Sequence, residues 1–326
     1  MKINSVTSVV ASILLLFATT SCEDDYKDIN GMVWNTSFHI TYDSDKDLTD
    51  SIYMVLRQVG NSLNVFDDSS VISRVNNSKS TQVDNDFVRV YEMSKRINRI
   101  SGGAFDPTLG PLIDAWGFGR GHKATSDTMR IKSLLKMVGI DKTQLKNLTL
   151  IKENPRIKFN FSAIAKGYGC DRIGEMLRRN GVSNYLVEIG GEISCAGKSP
   201  KNELWRISID KPIMTDSVIH ESQCVIEVTN KGIATSGNYR NFHIEEGTTF
   251  GHTISAKTGR PVQTEIISAT VVAPNAMEAD GLATTLMALE LENAKALARR
   301  LNIAALLILT DGSIWENEQF KQLTEN

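Results

Sequence analysis

The chain reads as an α+β protein, a single domain of mixed or antiparallel sheets with packed helices. Three observations predict this. Two long helical stripes precede most of the strands, and no regular strand–helix–strand repetition follows them. Short strand patterns crowd the stretch from "NYLVEIGGEIS" to "ISATVVAP". No linker rich in Pro, Gly or Ser cuts the chain after residue 31, so residues 32–326 form one unit.

The composition suits that class. With 326 residues, 41% hydrophobic and 23% charged, the chain can bury a sizeable core. A net charge of -2 gives no electrostatic case for nucleic acid.

Residues 1–22 stand apart. Lys2 supplies a short positive region, "VVASILLLFA" an apolar one, and "TTSC" a small-residue ending at Cys22. The apolar run is too short for a permanent membrane helix and fits a signal peptide. A closing cysteine resembles a bacterial lipoprotein box, with Cys22 lipidated as the mature N-terminus. Thr19 stands where such boxes carry Leu, and an ordinary Cys on a buried N-terminal helix is the other reading. The polar residues 23–31, "EDDYKDING", read as a tether. The mature protein is then expected outside the cytoplasm, membrane-anchored on the periplasmic or envelope side. Cys170, Cys195 and Cys224 form no CxxC pair and no zinc spacing, and read as free thiols.

The elements follow in order. "TDSIYMVLRQVGNSLNVF" carries apolar residues at Ile52, Val55, Leu56, Val59 and Leu63, a helical stripe with Asp50 as its candidate cap. "DNDFVRVYEMSKRINRISGG" repeats the pattern and stops at a Gly pair. A short helix is expected near 126–138, then "LKNLTLI" and "RIKFNF" as the strands of a hairpin. "SAIAKGYGCDRIGEMLRRNG" predicts a helix ending at Gly181. "AMEADGLATTLMALELENAKALARRLN" returns to helix, and "IAALLILT" closes as a strand.

Two segments carry chemistry. In "FSAIAKGYG" a strand gives way to small residues that open a helix with Lys166 in its first turn. Free N–H groups at a helix start and a nearby ammonium favour phosphate, although a surface lysine on an amphipathic helix reads the same. In "MEADGLATTLM", Asp280 and Thr284 lie one helical turn apart among small residues. A carboxylate with a hydroxyl suits Mg²⁺, while an acidic residue in the helix dipole beside a back-bonded Thr is the alternative. "GFGRG" lacks the preceding strand and third glycine of a dinucleotide fingerprint, and no GxxxxGK[ST] or GxSxG occurs.

These segments belong to an ordered series: "GGAFDPTLGPLIDAWGFG", "FNFSAIAKGYGCDRI", "YLVEIGGEISCAGK", "GIATSGNYRNF", "GHTISAKTGRP" and "ISATVVAPNAMEADGLATTLM". The series resembles the ApbE family of FAD:protein FMN transferases, over about residues 31–315. The resemblance implies a T-fold-related domain. It implies flavin-nucleotide contacts at Ala104, Phe105 and Asp106, and FAD contacts at Lys166 and Ile254. It places a backbone carbonyl ligand to Mg²⁺ at Ala163, side-chain ligands at Asp280 and Thr284, and the catalytic base at His252. Trp34 stands at the family's usual Met, Phe66 at its flavin-stacking Tyr and Asn160 at its common Asp. "ISAKTG" lacks the usual Asp-Pro after the histidine.

The activity so implied is Mg²⁺-dependent transfer of FMN from FAD to a Ser or Thr hydroxyl of an acceptor flavoprotein. The resemblance implies as acceptors extracytoplasmic subunits of membrane redox complexes or flavin-carrying electron-transfer proteins. A Mg²⁺-dependent FAD pyrophosphatase giving FMN and AMP would use the same residues. A flavin-binding lipoprotein without catalysis would need neither the Asp280/Thr284 pair nor His252.

Overall fold

The computed structural model describes residues 26–119, 127–212, 221–237, 242–245, 248–251 and 253–324. Cys22 and His252 lie outside them.

The first hairpin joins β1 (Tyr26–Val33) to β2 (Thr36–Asp43). Its two-residue turn holds Trp34 and Asn35 at φ 48° and 64°, the left-handed pair that matches the twist of antiparallel strands. The tether expected over 23–31 is therefore corrected: from Tyr26 onward this segment is strand, paired residue by residue with β2.

Three helices follow, α1 (Thr49–Leu63), α2 (Val71–Asn76) and α3 (Asn85–Ile100). The expected apolar stripe of α1 is buried at Ile52, Val55, Leu56, Val59 and Leu63. Asp50 sits inside its first turn rather than at the cap, and Asp47 accepts the Thr49 N–H instead, at 2.9 Å. Helix α3 is capped by Asp84 and stops before Gly102 and Gly103, both at positive φ.

Next come α4 (Gly110–Ala115) and α5 (Thr128–Leu135), then β3 (Thr143–Lys146) and β4 (Thr149–Lys152). Here the expected hairpin moves. Both strands lie within 143–152 around a turn at Asn147 and Leu148, whose φ values are 45° and 61°. "RIKFNF" is extended chain with a single bridge, from Lys158 to Leu109. It lines up beside the 104–109 loop because the Asn160 N–H donates to the Pro107 carbonyl at 2.7 Å.

The remaining elements are α6 (Ala165–Arg179), β5 (Tyr185–Ile189), β6 (Glu192–Ala196), β7 (Trp205–Asp210), β8 (Ser222–Val228) and β9 (Lys231–Gly237). After them run β10 (Phe242–Glu245), β11 (Thr248–Gly251), β12 (Ile266–Ala273), α7 (Ala276–Met287) and α8 (Leu291–Leu301). The chain closes with β13 (Ala304–Leu309), β14 (Ile314–Glu316) and α9 (Glu318–Thr324).

One eight-stranded antiparallel sheet organises the molecule, in the order β1-β2-β5-β6-β9-β12-β13-β14. Its two faces are sorted by the strand period of two. Along β13, Ala305 and Leu307 face the helices, while Ala304, Leu306 and Ile308 face the other side. The helical face buries the large core with α1, α3, α6 and α7. The opposite face is covered by the β7–β8 ribbon through Trp205, Ile207 and Ile209, and by Phe320 of α9. Sheet and helices are thus segregated, which is the α+β class read from the sequence.

Candidate active site

The site grows from the packing of α6 against α7. Gly167 lets them touch: a Cβ there would stand 2.2 Å from the Ala276 carbonyl oxygen. The Gly167 N–H donates to Asp280 Oδ2 at 3.0 Å. This corrects one expectation, because that amide at the helix start is engaged by a carboxylate of the chain itself. Asp280 Oδ1 has no hydrogen bond among the described residues.

Helix α7 is buried along its length except at Thr284. Thr284 faces a cleft of about 840 Å³, and its hydroxyl lies 3.1 Å from Ser236 Oγ on β9. The helix is held at its start by Asn275, whose side chain accepts the Glu278 N–H at 2.8 Å. Asp171 of α6 adds a two-oxygen cap, accepting the N–H groups of Ala276 at 2.9 Å and Met277 at 2.8 Å. Burial raises the Asp171 carboxyl to about 6, against the pull of those two bonds.

Lys166 stands at the second position of α6 and lines the same cleft. Its ammonium is ion-paired with Glu192 Oε1. Burial works to lower the Lys166 pKa, but Glu192 and Asp280 outweigh it and hold the group charged. Glu192 opens β6, directly after the two-residue Gly190–Gly191 turn at φ 62° and 97°. Its side chain is 4% exposed, and its Oε2 is buried without a hydrogen-bond partner. Burial pushes both the Glu192 and Asp280 carboxyls up, and Lys166 pulls both down.

The rest of the wall comes from loops. Phe66, 61% exposed, stands at the rim. Ala104, Phe105 and Asp106 line the cleft, but the Asp106 carboxylate is occupied by donors from its own loop, from α3 and from Ile140. It accepts from the Thr108 N–H at 2.8 Å, the Thr108 hydroxyl at 2.5 Å, Asn98 Nδ2 at 3.2 Å and the Ile140 N–H at 3.1 Å. That carboxylate fixes the loop's shape, leaving the small Ala104 at the cleft while Phe105 is buried against the main core. Asn160 and Ala163 line the cleft too, with Asn160 Oδ1 accepting the Ser162 N–H at 2.9 Å.

The "GHTISAKTGRP" segment meets "DAWGFG" through Trp116, whose indole N–H donates to the Gly259 carbonyl at 2.8 Å. Ile254 is buried in that small cluster while lining the cleft beside Thr253. His252 lies outside the described residues, between Gly251, which closes β11, and Thr253 on the cleft wall.

Trp34 departs from the expectation. Its indole fills the space left by Gly60 and Gly169, where added Cβ atoms would stand 2.9 Å and 2.7 Å from the ring, and it is off the cleft wall. The structure therefore brings together Phe66, Ala104, Phe105, Asp106, Asn160, Ala163, Lys166, Ile254, Asp280 and Thr284. It adds Glu188, Glu192, Asp210, Thr235 and Ser236, which the sequence reading did not assign. Glu192 and Ser236 belong to "YLVEIGGEIS" and "GIATSGN", so their segments were visible but their direction was not. Among the described residues on the wall, Lys166 is the one basic side chain.

Comparison with known proteins agrees in extent and fold. The ApbE family model matches residues 34–307. A Haemophilus influenzae protein named FAD:protein FMN transferase is 34% identical, covering 98% of both chains. A Vibrio cholerae protein of the same name is 33% identical over 92% of each. The solved Vibrio cholerae flavin transferase ApbE superposes with a TM-score of 0.81 at 32% identity, covering 92% of this chain and 99% of its own. The apo Pseudomonas stutzeri flavinyl transferase ApbE gives 0.81 at 26% identity, covering 92% and 98%. This chain belongs to the ApbE family.

Proposed function

We propose that the protein transfers FMN from FAD to a Ser or Thr hydroxyl of a partner protein and releases AMP. The observation that carries this reading is the meeting of Lys166, Asp280 and Thr284 on one wall of a cleft with an exposed ring, Phe66, at its rim. The names of relatives aligned over nearly the whole chain support the same reaction.

The donor set fits Mg²⁺. Asp280 Oδ1, the Thr284 hydroxyl and the Ala163 carbonyl are hard oxygen donors, and the unpartnered Glu192 Oε2 deepens the negative field around them. Bound there, Mg²⁺ supplies neutralisation of charge on the phosphate oxygens. Lys166 adds a point charge to the pyrophosphate, and the Phe66 ring offers a stacking face to the flavin. The acceptor oxygen bonds to the FMN-side phosphorus, the bridging P–O bond breaks, and AMP leaves with the bridging oxygen. His252 takes the hydroxyl proton, work that suits an imidazole titrating near neutrality.

The setting is part of the proposal. The signal-like residues 1–22 support lipidation at Cys22 and a place on the envelope side of a membrane, facing extracytoplasmic redox subunits as acceptors. Incubation with FAD, Mg²⁺ and a candidate acceptor, followed by denaturing electrophoresis, tests the function. Flavin fluorescence that migrates with the acceptor supports transfer. Full conversion of FAD to free FMN and AMP with every acceptor would replace transfer by hydrolysis.

A further inference from the structure

Lys166 is the one basic side chain on the described cleft wall, yet its charge is already committed. Its ammonium is paired with Glu192 Oε1, and Asp280 acts on it from the neighbouring helix. The pair is preformed rather than incidental. The Lys166 stem runs against the Gly190 turn, where an added Cβ would lie 3.3 Å from its Cδ, and Glu192 follows that turn directly. Lys166, Glu192 and Asp280 thus form one cluster, two negative and one positive, on a wall that also carries Glu188 and Asp210, in a cleft read as taking pyrophosphate. Glu192 is almost fully buried, and its second oxygen has no partner. A carboxylate placed so adds negative potential at the position where a phosphate must arrive.

On the proposed function as its basis, we propose that Glu192 is a positioning residue that orients Lys166 and withholds its charge from phosphate until a divalent cation neutralises Asp280. With both carboxylates bare, a phosphate gains little from Lys166. With Asp280 engaged by a cation, the field at Lys166 turns positive and the phosphate is attracted. Cation and phosphate then bind cooperatively, and by linkage each raises the other's affinity by the same factor. Glu192 sets the size of that factor through its own charge.

Riboflavin and FMN differ only by the phosphate, so their affinities isolate this effect. Dissociation constants for both are measured by flavin fluorescence quenching, in EDTA and in Mg²⁺, for the wild type and Glu192→Gln. The wild type should favour FMN over riboflavin by about tenfold more in Mg²⁺ than in EDTA. Glu192→Gln keeps the shape and removes the charge. In EDTA it should raise the FMN preference by about tenfold, leave riboflavin affinity unchanged, and shrink the response to Mg²⁺. A purely structural glutamate would weaken FMN and riboflavin alike, and that result overturns the proposal. An FMN preference in the wild type that ignores Mg²⁺ also overturns it, and needs no variant to fold. Riboflavin binding that survives such a result leaves the functional reading standing, whereas no binding of either flavin removes both.

Discussion

Gly167 and Asp280 are joined by one hydrogen bond, from the backbone N–H of the first to Oδ2 of the second at 3.0 Å. That bond ties the lysine-bearing helix to the helix carrying the candidate metal ligands. One carboxylate oxygen is thus structural, and the other is left for chemistry.

The two oxygens can be separated by substitution. Asp280→Asn retains an acceptor for Gly167 and loses the anionic ligand, so it should fold normally while losing Mg²⁺ or Mn²⁺ binding. Asp280→Ala also strands a buried N–H, which costs about 1–3 kcal/mol. Urea denaturation and calorimetric metal titration of both variants check this, and equal stability of the two would remove the structural role.

Gly167→Ala tests how closely α6 and α7 approach. In an ordinary helix this change stabilises by up to about 1 kcal/mol. Here the new methyl would meet the Ala276 carbonyl oxygen at 2.2 Å and Asp280 Cβ at 2.9 Å, both in fixed positions. The expected result is destabilisation by about 2–3 kcal/mol, measured as a lower urea midpoint, with weaker metal binding.

Asp171 gives the stability of this region a pH dependence. Burial raises its carboxyl from 3.8 to about 6, so the folded protein holds that proton more tightly than the unfolded chain. Its stabilising contribution is complete below about pH 4 and is lost as the pH rises through about 6. Asp171→Asn removes this titration and leaves one N–H of Ala276 or Met277 facing an amide donor. The variant should be less stable than the wild type, with the gap widest near pH 4 and narrower at pH 7 in matched urea titrations.

His252→Ala should slow covalent transfer by roughly two to four orders of magnitude while leaving flavin affinity close to the wild type. Fluorescence titration and acceptor labelling on the same preparation check this. Loss of flavin affinity in a folded variant would assign the histidine to binding instead of proton transfer.

The parts of the site that lie on helices were legible in the sequence. Asp280 and Thr284 share a face because they are one turn apart, and Lys166 announces itself at a helix start among small residues. The Gly190–Gly191 turn was visible as well, but nothing local says that the residue after it points at Lys166. That contact depends on how β6 lies beside α6 and α7. Ser236 reaches Thr284 through packing of β9 against α7, and Asp171 caps a helix 105 residues further on. The place of Trp34 off the cleft wall was hidden for the same reason, since the glycines that receive its ring sit on α1 and α6. The "RIKFNF" segment has strand composition, yet it finds only one bridging partner because the neighbouring backbone is a loop.

The central claim is that the cleft joins FMN to a protein hydroxyl. Intact-mass spectrometry of an acceptor after reaction with FAD and Mg²⁺, with released AMP counted in the same tube, tests it most directly. The account predicts one FMN less one water added per modified acceptor, one AMP per adduct, and neither product in EDTA. AMP and free FMN in equal amounts beside unmodified acceptor, or an adduct formed at full rate in EDTA, would contradict it.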